Sequence, residues 1–177
     1  MKLEKYSRPK SDKCGNIRFI LWYLVNCVFF KSSLPLPCRV RIFLLRLFGA
    51  KIGRSLFIQH SVNIKYPWRL EVGDNVWIGE NVWIDNLDWV RIGSNSCISQ
   101  GACVFTGNHD YKKETFDFFS KPVTIEESVW VGAKSIICPG AVLKSHSVLC
   151  IGSVVKKDTE SNMVYSGNPA KPIRKRY

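Results

Sequence analysis

Aliphatic residues recur every six positions through the second half of the chain: Ile125, Val131, Ile137, Leu143, Leu149 and Val155. Two residues before each stands a small or β-branched one: Val123, Val129, Ser135, Ala141, Ser147 and Ser153. A helix shows a period near 3.6 and a plain strand a period of about 2. A period of six with a paired position two residues earlier predicts short strands wound around a prism, with the aliphatic side chains stacked inside. The pattern begins at Ile52, and the triplets 52/58/64, 72/78/84, 92/98/104, 125/131/137 and 143/149/155 predict an all-β core, a parallel β-helix of about five coils. The register slips only between triplets, by steps of eight, eight and 21 residues. The extra residues therefore gather at one corner of the prism, as insertions in repeat proteins do.

The flanks read differently. Residues 17–30 are apolar nearly all round and predict a helix buried on most sides. The prolines of KSSLPLP (31–37) break it. Residues 38–48 predict an amphipathic helix, its apolar face made by Val40, Phe43, Leu44, Leu47 and Phe48, with Arg39, Arg41 and Arg46 interrupting it and Gly49 as its stop. Residues 1–16 are polar and read as extended. Three segments result: an N-terminal helical segment (1–50), the β-helix with an inserted loop at 106–124 (51–155), and a C-terminal tail (156–177). The end of a coil exposes unpaired strand edges, so the N-terminal helices are expected to cap the first coil. The tail is expected to run back along the outside, turning at NPAKP (168–172). Trp77, Trp83 and Trp130 each precede a repeat residue and should point outward, onto the coil surface or, for most of them, into a subunit interface, with the neighbourhood of a cofactor groove as the alternative for Trp130.

Charge changes the picture at one end only. Residues 1–54 carry 12 Lys or Arg against Glu4 and Asp12, a net +10; residues 55–177 carry 14 basic against 12 acidic residues, a net +2. Such asymmetry suits an anionic surface. No nucleic-acid-binding motif accompanies it, which leaves residues 1–48 as a candidate for peripheral contact with the inner membrane face. The apolar stretch 17–30 has 14 residues and contains Arg18, short of the roughly 20 that a membrane span needs. Seven cysteines, an odd number without a C-x-x-C, read as reduced thiols of a cytoplasmic protein.

Several segments carry a family resemblance. VWIGEN (76–81), VWVGAK (129–134), CPGAVL (138–143), IGSVVKKD (151–158) and SGNPAKPIRK (166–175) resemble the hexapeptide acyltransferases. RIFLLRLFGAKIG (41–53), SVNIKYPWRLEVGD (61–74) and CVFTGNHDY (103–111) are similar to acetyltransferases of colanic acid and other exopolysaccharide biosynthesis, a match running from about Arg41 to Arg176. The resemblance implies a left-handed β-helix, an exception to the usual right-handed crossover. It also implies a homotrimer with acetyl-CoA as co-substrate in the groove between subunits, no metal, and acetyl transfer to the hydroxyl of a lipid-, nucleotide- or polymer-linked sugar.

The same match implies site residues. His109, in the long insertion, takes the place of the family's general base; imidazole titrates in the range that deprotonating a hydroxyl at neutral pH requires. Ala133 and Ile151 match positions facing the pantetheine arm, with Cys150-Ile151 standing where relatives have Gly-Ala. Lys156 and Lys157 match a pair near the adenine end, and Lys171 and Arg174 match basic residues near the nucleotide phosphates. Asp85, Asn86 and Asp88 lie at the insertion corner and are candidate partners for sugar hydroxyls; their other reading is as turn formers. Alternatives to the polysaccharide reading are a maltose-, galactoside- or serine-type acetyltransferase and a non-catalytic assembly subunit. A γ-type carbonic anhydrase would need three zinc-binding histidines, and His60, His109 and His146 lack a close pair.

Overall fold

The computed structural model describes residues 1–7 and 17–177. Among these, five full coils stack along one axis, and the coils fall on the triplets that the period of six marks. Each triplet contributes one short strand to each of three faces. The first face stacks Lys51–Ile52, Leu70–Val72, Val90–Ile92, Val123–Ile125 and Val142–Leu143. The second stacks Phe57–Ile58, Trp77–Ile78, Cys97–Ile98, Trp130–Val131 and Val148–Leu149, and the third Asn63–Ile64, Trp83–Asp85, Cys103–Phe105, Ile136–Ile137 and Val154–Val155. All these pairings are parallel and set aliphatic on aliphatic, as in Ile52↔Val72↔Ile92↔Ile125↔Leu143.

Strands this short survive because every coil finds a partner above and below, and because the corners are cheap to turn. Each six-residue corner uses a residue in left-handed conformation three positions before the next aliphatic: Asn75, Asn81 and Asn95 have φ of 55°, 58° and 58°. Asn and Gly tolerate that region best, yet Lys134 and His146 also occupy it. The small inner positions fill the prism's angles. At Ser96 and Ser135 the buried hydroxyl donates to backbone, to the Glu126 and Cys150 carbonyls, both at 2.9 Å, while the Ser147 hydroxyl accepts from Thr159 Oγ1 and the Ser153 hydroxyl from the Gly167 N–H. Buried polar atoms are thereby satisfied.

The helices cap the first coil, whose strands form the end of all three sheets. α1 (Ile17–Val25) continues into a π-helical turn, Asn26–Phe30, and α2 spans Cys38–Leu47. Trp22 Nε1–H donates to the carbonyl of Ile64 at 2.8 Å, and the Ile58 N–H reaches Cys38 Sγ at 3.2 Å, so side chains take up edge groups of the first coil. Gly49, at φ 92°, ends α2. Two expectations are corrected here. The first helix is buried on one face only, through Trp22, Asn26 and Phe30, while Ile17, Ile20, Leu21, Tyr23, Leu24 and Val28 stay exposed. In α2 the expected faces are partly exchanged: Phe43 and Leu47 are exposed, whereas Arg41 is buried beside Leu45. Arg41 faces inward because it has work there. Its guanidinium donates to the carbonyls of Phe29, Leu36 and Leu34 at 2.9–3.0 Å, holding the proline-containing turn.

The tail is corrected as well. Met163–Gly167 and Ala170–Lys175 form an antiparallel hairpin that extends the second face, instead of lying along the outside. Its turn is at Asn168–Pro169, inside the predicted NPAKP, and that peptide bond is cis. Trp77, Trp83 and Trp130 do point outward. The six described cysteines are free, and burial pushes the Cys97, Cys103 and Cys138 thiols up from their ordinary value. Cys14 and the extended reading of residues 8–16 lie outside the described residues.

Candidate active site

The long insertion leaves the corner between the third and first faces as a β-hairpin, Gly107–His109 paired with Phe118–Ser120, with His109 opposite Phe118. His109 Nδ1 lies 2.9 Å from the carbonyl oxygen of Phe116. A carbonyl can only accept, so Nδ1 carries the hydrogen and Nε2 keeps its lone pair. The geometry behind that contact is unusual, since Phe116 holds a left-handed φ of 50°, a conformation that large side chains avoid. It turns the Phe116 carbonyl onto one edge of the imidazole while its ring stacks on the imidazole face, centroids 4.3 Å apart and planes 5° from parallel. Phe118 packs edge-on at 5.5 Å.

One further ring was invisible to sequence reasoning. Tyr6 packs edge-on against His109 at 5.3 Å. The Lys2 N–H donates to the carbonyl of Glu114, and Lys5 Nζ pairs with the Glu114 carboxylate at 2.9 Å. The N-terminal residues are thus strapped to the His109 loop across more than 100 residues of sequence, a separation no local pattern reports.

The residues proposed around the acceptor sit at the same corner. Asn86 is fully buried. Its Oδ1 accepts from the Tyr66 N–H and its Nδ2 donates to the Tyr66 and Arg69 carbonyls, so the amide shapes the insertion one coil below. Asp88 Oδ2 accepts from Ser120 Oγ at 3.1 Å, and the Asp88 N–H donates to Thr106 Oγ1, which itself donates to the Asp85 carbonyl. These contacts fasten the base of the His109 hairpin to the corner. Asp85 Oδ1 stands 2.9 Å from Lys65 Nζ without forming a directional hydrogen bond, which makes the pair a charge contact.

A groove of about 600 Å³ opens at a different corner, between the second and third faces, and includes Ala133, Ile151 and Arg174 in its lining. Ala133 forms part of the floor, beside Gly132, where a Cβ would come within 2.5 Å of the Leu149 carbonyl in the next coil. Ile151 is exposed on the rim. Trp130 forms a wall, its Nε1–H donating to Ser99 Oγ at 2.9 Å. The C-terminal hairpin brings Arg174 to the far edge, and Arg176 beside it donates to the Ser128 and His146 carbonyls, pinning the hairpin. Lys156 and Lys157 line a second groove with Pro169 and Ala170, and Lys171 is exposed on the hairpin. The structure therefore groups Ala133, Ile151 and Arg174, sets the three lysines apart from them, and holds His109 at another corner. A face runs six residues from corner to corner and strand residues rise about 3.3 Å each, so roughly 20 Å of third face separates the His109 hairpin from the groove within one chain. Among the described residues, no group of three or more His, Cys, Asp or Glu could hold a metal ion.

Coils, loop and groove can be set beside known proteins. No family model matches the chain. It is 39% identical over 175 residues to a protein assigned as a colanic acid biosynthesis acetyltransferase, WcaF of Escherichia coli (strain K12), covering 98% of this chain and 96% of that one. The chain belongs to the hexapeptide-repeat acetyltransferases. The galactoside O-acetyltransferase of the same organism is 30% identical over 148 residues, covering 82% of this chain and 73% of its own. A hexapeptide-repeat acetyltransferase from Vibrio cholerae O1 biovar eltor, solved in complex with acetyl-CoA, superposes with a TM-score of 0.75 at 25% identity, over 81% of this chain and 80% of that one. The prism described above is the left-handed β-helix of these hexapeptide-repeat acetyltransferases.

Proposed function

We propose that this acetyltransferase moves an acetyl group from acetyl-CoA to a sugar hydroxyl during surface-polysaccharide assembly, with His109 as the general base. The observation that carries the reading is the imidazole pinned through Nδ1 by the Phe116 carbonyl, which leaves Nε2 as the ring's proton acceptor. In the proposed reaction Nε2 takes the proton of the acceptor hydroxyl as its oxygen attacks the thioester carbonyl. The tetrahedral oxyanion collapses, the C–S bond breaks, and the CoA thiolate leaves with the proton returned from the imidazolium. Phe116, Phe118 and Tyr6 would fix the ring's orientation.

The donor would lie in the groove of Ala133 and Ile151, with Arg174 toward its phosphates and Lys156, Lys157 and Lys171 supplying positive charge farther along. Because His109 stands at a different corner, the complete site needs the His109 loop of one subunit beside the groove of another. A homotrimer meets that requirement through closed, head-to-tail contacts. At the acceptor side we assign Asp85 and Asp88 to hydrogen bonding with the sugar or its carrier, and Asn86 to positioning the corner that presents them. The similarity to WcaF over almost its whole length favours the polysaccharide acceptor.

His109→Ala tests the proposal. The expected result is a fall in acetyl transfer of about 10²–10⁴, the usual worth of a general base, with the oligomer's mass and its acetyl-CoA affinity unchanged. A variant turning over within a few-fold of wild type would remove His109 from the mechanism. Mass spectrometry of cell-surface polysaccharide with and without the protein would identify the acceptor sugar.

A further inference from the structure

α1 and α2 close the first coil, so their outer surfaces form the base of the prism. That base has a composition unlike the rest of the molecule. Ile17, Ile20, Leu21, Tyr23, Leu24 and Val28 are each 50% exposed or more, and follow one face of α1 and its π-helical turn. On α2, Phe43 and Leu47 are 64% and 65% exposed, on the same side of the helix as the exposed Arg39 and Arg46. An apolar surface of this extent calls for an occupant. The charge around it says which kind. From residue 13 to residue 70 the chain contains ten Lys or Arg and not one Asp or Glu. Among the described residues, Lys31, Arg39 and Arg46 enter no ion pair.

We propose that the base of the prism docks on the surface of an anionic lipid bilayer. Apolar side chains on one helical face with basic residues around them are the chemistry of a helix lying in the lipid headgroup region, its apolar side in the acyl boundary and its cations on acidic headgroups. Tyr23 suits the same layer, with an apolar ring and a polar tip. Among the described residues no helix is long and apolar enough to cross a membrane, which makes the contact peripheral. The fold supports the arrangement. Coils stack about 4.8 Å apart and a helix with its side chains is about 10 Å thick; the His109 hairpin leaves the third coil, so it stands roughly 20 Å above the base. In the trimer proposed above, rotation about an axis parallel to the prisms turns all three bases to one side, and three weak contacts act together. An acceptor carried on a lipid would then reach up to His109 with its lipid tail still in the membrane. Only this last point rests on the catalytic reading; docking itself does not.

The test is co-sedimentation of the full-length protein with vesicles of phosphatidylcholine alone and with vesicles enriched in phosphatidylglycerol. Wild type is expected to bind the anionic vesicles at least about tenfold more tightly, and to lose that preference as salt rises toward about 1 M and shortens the Debye length. Leu21→Glu with Leu24→Glu should abolish the preference while oligomer mass by light scattering and acetyl-CoA affinity stay unchanged. If that variant does not fold, the exposed pair Lys31→Glu with Arg39→Glu decides, and an about tenfold loss is expected again. Equal binding to both vesicles, or binding to neither, would overturn the proposal. So would a fall in oligomer mass in the Leu21→Glu/Leu24→Glu protein, which would give the face to a neighbouring subunit.

Discussion

The proposed base needs an imidazole held in one tautomer, and the Phe116 carbonyl, 2.9 Å from His109 Nδ1, favours the tautomer that leaves Nε2 to accept a proton. The strained φ of Phe116 is the means. Replacing Phe116 by Gly keeps the left-handed turn but removes the stacked ring; the expected outcome is a lower kcat with little change in thermal midpoint, read by steady-state kinetics and calorimetry. Thr106, fully buried at the root of the hairpin, accepts from the Asp88 N–H and donates to the Asp85 carbonyl. Thr106→Val leaves both groups without that partner, at about 1–3 kcal/mol, and should lower the urea midpoint and activity together. Arg41→Met removes the guanidinium hydrogen bonds to the Phe29, Leu34 and Leu36 carbonyls, of which Leu34 keeps the Leu36 N–H, and is expected to cost about 3 kcal/mol by the same measurement. Of these residues, only His109 was legible as chemistry in the sequence. Phe116 and Thr106 lack a motif, because their roles lie in backbone direction and in contacts across the corner.

At the scale of elements, coils repeat every 20 residues near the start, so charges 20 apart stack. Lys51, Glu71 and Arg91 form such a ladder on the first face, with Nζ–O and Nε–O distances of 2.6 and 3.1 Å. The hydrogen bond from Lys51 holds the Glu71 carboxyl below its ordinary value, and hydrogen bonds from Ser145 do the same for Glu126. A carboxyl whose folded pKa is depressed stabilises the fold above its unfolded value and loses that contribution as pH falls through the folded one. The thermal midpoint should therefore drop as pH is lowered below about 4.5, with a shallower drop in Glu126→Gln, measured by calorimetry across pH. The period of six located these elements because stacking demands it. The amphipathic reading of residues 38–48 misjudged the faces of α2, because burial of Arg41 is set by the carbonyls of Phe29, Leu34 and Leu36 in the preceding turn.

For the whole molecule, the decisive geometry is that His109 and the groove of Ala133 occupy different corners. If the site is shared between subunits, two inactive proteins should complement. Mixed trimers of His109→Ala and Ala133→Trp, co-expressed in equal amounts, contain intact pairs of loop and groove at about one quarter of interfaces. About a quarter of wild-type activity is expected, against none from either variant alone; no recovery on mixing would place the whole site in one chain. The sequence by itself determined the coil, its register and the corner where insertions collect, because a repeating core leaves a repeating pattern of apolar residues. It also marked His109, through a motif. Only the tertiary structure decided which face of each helix is buried, that the tail joins the second sheet, that Asn86 is enclosed, and that residues 1–7 reach the His109 loop. Those outcomes depend on contacts between segments far apart in the chain, where each partner is chosen by shape and hydrogen-bond need and neither carries a local signature.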